Sequence, residues 1–89
     1  MAVQLITYTP NSSHRNYNDL IDDIKELGDW CKISETVWIA ETSLNTLTLR
    51  DKLKKHIGID DQLAVITMAG DWSTQNFSNE INNWLRNHL

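Results

Sequence analysis

Tyr8 and Thr9 end an apolar stretch, and His14 and Arg15 follow in the polar run Asn11-Ser12-Ser13-His14-Arg15. An imidazole and a guanidinium beside the Tyr8-Thr9 strand end are the first choices for binding phosphate or passing a proton. His14 and Arg15, with Thr9 at the strand end, are the catalytic candidates, weighed against the simpler reading of a solvated loop. Arg50, Lys52, Lys54, Lys55 and His56 form the only basic cluster. Arg50 and Lys54 share a helix face, and such a row of donors can track a phosphate backbone. Arg15, Arg50, Lys54 and Lys55 are the nucleic-acid-binding candidates. The plainer reading, which we prefer, is a wet helix surface with cations near its C-terminal end.

Other reactive types are sparse. His14, His56 and His88 match no zinc spacing, so no metal site is expected from them. Asp22-Asp23 falls on the polar side of a helix and Asp60-Asp61 in a turn; neither reads as a catalytic dyad. Cys31 is the only cysteine, which excludes an intramolecular disulfide, and in a strand it reads as a small buried thiol. Three glycines, each next to a predicted element, make no phosphate loop. No cofactor is expected.

With 89 residues the chain forms one domain, 1–89. Its net charge of −4 weighs against a dedicated binder of nucleic-acid phosphates. Apolar runs such as Leu63 to Ile66 are too short to span a bilayer, so no membrane partner is expected. Met1 leads almost directly into a strand without a signal segment, and the expected location is cytoplasmic.

Val3 to Thr9 alternates as a strand and Pro10 stops it. Asn16 reads as the N-cap of a first helix whose stripe is Tyr17, Leu20, Ile21, Ile24 and Leu27, with Gly28 ending it. Asn18, Asp22, Asp23, Lys25 and Glu26 fall largely outside that stripe and should be wet. Trp30–Ile33 and Thr36–Glu41, rich in β-branched and aromatic residues, make a hairpin about Ser34-Glu35. Asn45 caps a second helix, with Leu44 and Leu49 spaced as a hydrophobic staple and Leu49, Leu53 and Ile57 on its stripe. Gln62 to Met68 is apolar on both faces and is expected in a buried position. Ser78 caps a last helix, about 78–88, with Phe77, Ile81, Trp84 and Leu85 on its apolar side.

Strand-helix-strand-strand-helix-strand is the split βαβ pattern of the α+β ferredoxin-like fold, here with a C-terminal helix added. Right-handed crossovers put the first strand and the Thr36–Glu41 strand in the centre of a four-stranded antiparallel sheet, with both helices on one face. A second apolar set, Ile6, Tyr8, Trp38, Ile66 and Met68, still needs a cover, and periodicity does not say which set meets the helices. The C-terminal helix can fold over it, a second copy can pack sheet against sheet, or the rings can stack single-stranded RNA. The homodimer is preferred because the area is large and the chain acidic, which makes those five residues the dimer-interface candidates.

The opening LITYTPN, the helix ending in GDW, the strand ETVWIAE, and TLRDKLKKHIG followed by DDQLAVITMAG resemble the small Cas-two-like proteins. That group includes CRISPR-associated proteins, virulence-associated protein D and SinR-like proteins, and the resemblance covers about residues 3–70. It implies a ferredoxin-like homodimer with the first strands of the two copies near one another. In the members that are metal-dependent nucleases, an aspartate follows the tyrosine matched by Tyr8 and helps hold a divalent ion. Here Thr9 stands in that place, and a neutral hydroxyl is a poor substitute for a carboxylate. The expectation is a binding or scaffold module for a protein or nucleic-acid partner, leaning away from an enzyme. The alternative is a magnesium-dependent nuclease acting on RNA or DNA.

Overall fold

The computed structural model describes residues 1–11 and 16–89. It is an α+β domain with one four-stranded antiparallel sheet. The elements are β1 (Ala2–Thr9), α1 (Asn18–Lys25), β2 (Trp30–Ser34), β3 (Val37–Thr42), α2 (Thr46–Leu53), β4 (Gln62–Thr67) and α3 (Asn79–His88), with a 3-10 turn at Lys54–His56. The strand order is β2-β3-β1-β4, which puts β1 and β3 in the centre as the element order predicts.

The helix starts differ in kind. Asn45 caps α2 by accepting from the Thr48 amide at 2.8 Å, and Ser78 Oγ caps α3 by accepting from the Ile81 amide at 3.2 Å. Asn16 does not cap α1. Its Oδ1 accepts from the Asn18 amide two residues on, at 2.7 Å, and the helix begins only after that turn. Gly28 likewise does something other than end α1, whose last residue is Lys25. It has φ +152°, and a Cβ there would sit 2.4 Å from the Glu41 carbonyl oxygen. Glycine is needed because this turn runs against β3, where the Glu41 amide donates to the Asp29 carbonyl at 2.8 Å.

The sheet is covered on both sides. Ile6, Tyr8 and Trp38 lie with Leu20 and Ile24 of α1 and Leu49 and Leu53 of α2 in one cluster, each 5% exposed or less. Burying a side chain of this size contributes about 1.5–3 kcal/mol. On the opposite face Val3, Cys31 and Ile39 pack with Leu85 of α3, bordered by Leu5, Ile33, Met68, Ile81 and Trp84. The C-terminal helix therefore returns over its own sheet.

This corrects three of the five proposed interface residues. Ile6, Tyr8 and Trp38 belong to the helix-covered core and are already buried by their own chain. Met68 borders the α3 layer, and Ile66 is 56% exposed. The expectation that Gln62 to Met68 is buried fails as well: β4 is an edge strand, and Ala64 and Ile66 point to the half of the lower face that α3 leaves open. The stacking platform loses its ring, since Trp38 is 2% exposed. Its indole is flanked by Trp30 at 5.4 Å between centroids and by the ammonium groups of Lys25 and Lys32. Its N–H has no partner among the described residues.

Gly28→Ala is expected to destabilise the chain by about 2 kcal/mol, because the methyl meets backbone and the φ is hostile to any L side chain. Urea unfolding checks this as a lowered midpoint at unchanged slope.

Candidate functional site

The residues singled out for chemistry at the end of β1 meet the turn that leads into β4. Thr9 is exposed and opposite Gln62 in the ladder. Next to it Asp61 accepts from the Asn11 amide and the Gly58 amide, both at 2.7 Å, and from the Tyr17 hydroxyl at 2.8 Å. The Asn11 side-chain amide adds a bond to the Asp60 carbonyl at 2.6 Å. Tyr17 stacks on Tyr8 with centroids 5.6 Å apart, and the Tyr8 hydroxyl donates to the Glu35 carbonyl at 3.2 Å. Burial first, and then the Glu35 charge, push the Tyr8 phenol above its ordinary value, so it stays protonated in neutral solution. His14 and Arg15 lie outside the described residues.

Chemically this is a clamp. One carboxylate gathers two backbone N–H groups and a phenol from three separate segments, and those bonds occupy both of its oxygens. A divalent cation would compete with them for the same oxygens. The hydroxyl of Thr9 supplies no negative charge, so the residues present do not fit a magnesium site of the carboxylate type. Among the described residues no group of three or more His, Cys, Asp or Glu is placed to hold a metal ion.

The basic cluster is partly neutralised. Arg50 bonds Asp51 Oδ1 at 2.9 Å and Lys54 approaches the same oxygen at 3.4 Å. The Arg50 hydrogen bond, with Lys54 adding to it against an opposing desolvation, holds the Asp51 carboxyl below its usual range. Lys55 is exposed on the 3-10 turn. These cations are carried by α2 and the 3-10 turn that follows it.

Three polar contacts escaped the sequence reading. Asp61 was read only as a turn residue. Asp23, expected to be wet, is 23% exposed because His56 Nε2 sits 2.6 Å from its Oδ2, tying the 3-10 turn to α1. His88 stacks on Trp84 at 3.9 Å, its Nδ1 is 2.8 Å from the Trp84 carbonyl, and its Nε2 is 3.2 Å from Asp29 Oδ2. Only the last had a visible signal, the Trp84–His88 spacing of four on one helix.

A cleft of about 460 Å³ runs between β2 and the start of α3, lined by Trp30, Cys31, Lys32, Glu80 and Trp84 among others. Burial, followed by the Glu80 charge, pushes the Cys31 thiol up, which suits a packed thiol and not a nucleophile. In comparisons with protein-family models, curated proteins and solved structures, nothing matches the chain.

Two outcomes follow from this geometry. Tyr17→Phe removes one bond to Asp61 and should cost about 1 kcal/mol, while Asp61→Ala strands the other donors and should cost about 2 kcal/mol; chemical unfolding of the two variants checks the ranking. The second concerns pH. Both ring nitrogens of His88 face acceptors, which only the imidazolium can serve. Burial lowers its pKa, but the Trp84 carbonyl, Asp29 and Glu41 outweigh that, and the net shift is upward from 6.5. The stabilisation is then complete below the unfolded value and is lost as pH rises through the folded one. The thermal midpoint should fall between about pH 6 and 8 in the native chain, and the fall should be smaller in His88→Gln.

Proposed function

We propose that the chain is a ferredoxin-like binding or scaffold module that acts as a homodimer and carries no metal-dependent nuclease activity. The βαββαβ order, the β2-β3-β1-β4 strand order and the placing of α1 and α2 together on one face support the fold. The observation that carries the functional reading is at the end of β1. There the nearby carboxylate, Asp61, is engaged by two amides and a phenol, and Thr9 has no charge to offer a cation.

The partner it fits better is a protein. Arg50 and Lys54 already share Asp51, and the chain is acidic, so little free positive charge faces a phosphate backbone. No helix among the described residues is long and apolar enough to cross a membrane. Exposed apolar side chains instead gather beside β4, where Ile66 is 56% and Leu47 57% exposed.

The test joins light scattering on the purified chain with cleavage of labelled RNA and duplex DNA in magnesium. The expected outcome is twice the chain mass and no cleavage above the buffer blank. Magnesium-dependent cleavage that copurifies with the protein and drops in Arg15→Ala would replace this reading with the nuclease.

A further inference from the structure

A sheet with two edges needs both protected, and here only one is. β2 is five residues long and carries Lys32, paired with Glu35 at 3.3 Å. Its ladder to β3 is irregular between Lys32 and Ser34, and α3 packs against it. Short length, a lysine and a bulge are the features that keep an edge from pairing with another chain. β4, at six residues, lacks the lysine and the bulge. Its residues Gln62–Thr67 include no charge and no proline, and its register with β1 runs unbroken from Thr9↔Gln62 to Gln4↔Thr67.

Which groups of β4 are unused follows from the ladder. The Met68 amide donates to the Val3 carbonyl at 2.9 Å, and hydrogen-bonded pairs in an antiparallel ladder recur every second residue. Ile66, Ala64 and Gln62 therefore turn their backbone groups inward to Leu5, Thr7 and Thr9. Leu63, Val65 and Thr67 turn theirs outward, with no strand of the described residues beyond them.

We propose that the occupant of this edge is the β4 of a second copy, antiparallel about a twofold axis at Val65. This inference rests on the homodimer reading and specifies its interface. Centring on Val65 sets Leu63 against Thr67 of the other copy and uses every outward-facing group; a centre at Ala64 or Ile66 leaves some unpaired. The same register sets Ala64, small, opposite Ile66, large, on the half of the sheet face that α3 leaves open. Charge selects a second copy as the occupant. A twofold axis brings like residues together, and β4 is an uncharged strand in a chain of net charge −4, so copies repel least there. Arg50, which lines the groove beside Leu63 and Val65, is already held by Asp51 at 2.9 Å. The arrangement differs from sheet-against-sheet packing, which α3 obstructs over Val3, Cys31 and Ile39.

Amide hydrogen exchange read by NMR, beside light scattering over a concentration series, tests it. In the dimer the Leu63, Val65 and Thr67 amides should be protected along with Ala64 and Ile66. Dilution, or Ile66→Lys on the exposed row, should speed exchange at Leu63, Val65 and Thr67 by at least about tenfold while Ala64 and residue 66 keep their protection. Retained protection at Ala64 shows that the variant is folded, and Ala64→Lys serves if it is not. A dimer whose Leu63, Val65 and Thr67 amides exchange freely overturns this interface and leaves the homodimer standing. A native chain that stays monomeric up to about 1 mM removes both. Protection of those three amides in a monomer also overturns it, because the edge would then be covered by its own chain.

Discussion

The two central strands carry apolar side chains on both faces, so the sheet persists in water only if each face has a roof. Ile6, Tyr8 and Trp38 go under α1 and α2, and Val3 and Ile39 go under α3. Three short helices therefore do the work of two layers. Of α1 and α2, both eight residues long, neither would be stable alone. Each is held by the stripe it buries, Leu20 with Ile24 and Leu49 with Leu53, all at 0% exposure. The polar contacts then set how the layers meet: His56 with Asp23 between the turn after α2 and α1, and Asp61 with Asn11 and Tyr17 between the two ends of the loop beside β1.

That second contact bears directly on chemistry. A carboxylate can be an acid, a base, a ligand or a structural acceptor, and its neighbours decide which. Among the described residues Asp61 accepts from three donors, two of them backbone amides. Its negative charge is thus spent on closing a loop beside the end of β1. Thr9 beside it carries no charge. The two features together leave the strand end organised but chemically quiet among the described residues.

Much of the architecture was legible in the residues. The periodicity of Leu20 and Ile24, the cap at Asn45 and the cap at Ser78 all appear where local rules put them. What local rules could not decide was which alternating set of each strand met which helices, because both sets are apolar. That choice depends on the handedness of the crossovers and on where α3 lands, neither of which a strand records. Hence Ile6, Tyr8 and Trp38 read as surface candidates and prove to be core. The double apolarity of Gln62 to Met68 looked like a central strand, but it serves a half-covered edge. Asp61 and Asp23 were illegible for another reason: their partners are distant in sequence, Asn11 and Tyr17 for one and His56 for the other.

Where α3 lands also explains why the two edges differ. Its last turn is fixed by His88, which lies on Trp84 and reaches Asp29 in the turn just before β2. Leu85 beside it enters the pocket formed by Val3, Cys31 and Ile39. Both anchors lie towards the β2 side, so the helix shields that side of the face and cannot also reach Ala64 and Ile66. A helix of ten residues is about 15 Å long, roughly three strand spacings. The exposed row on β4 is therefore a consequence of the contact at Asp29. The same placement leaves that row beside an edge strand without charge or bulge, the kind of edge that another strand can extend through its unused backbone groups.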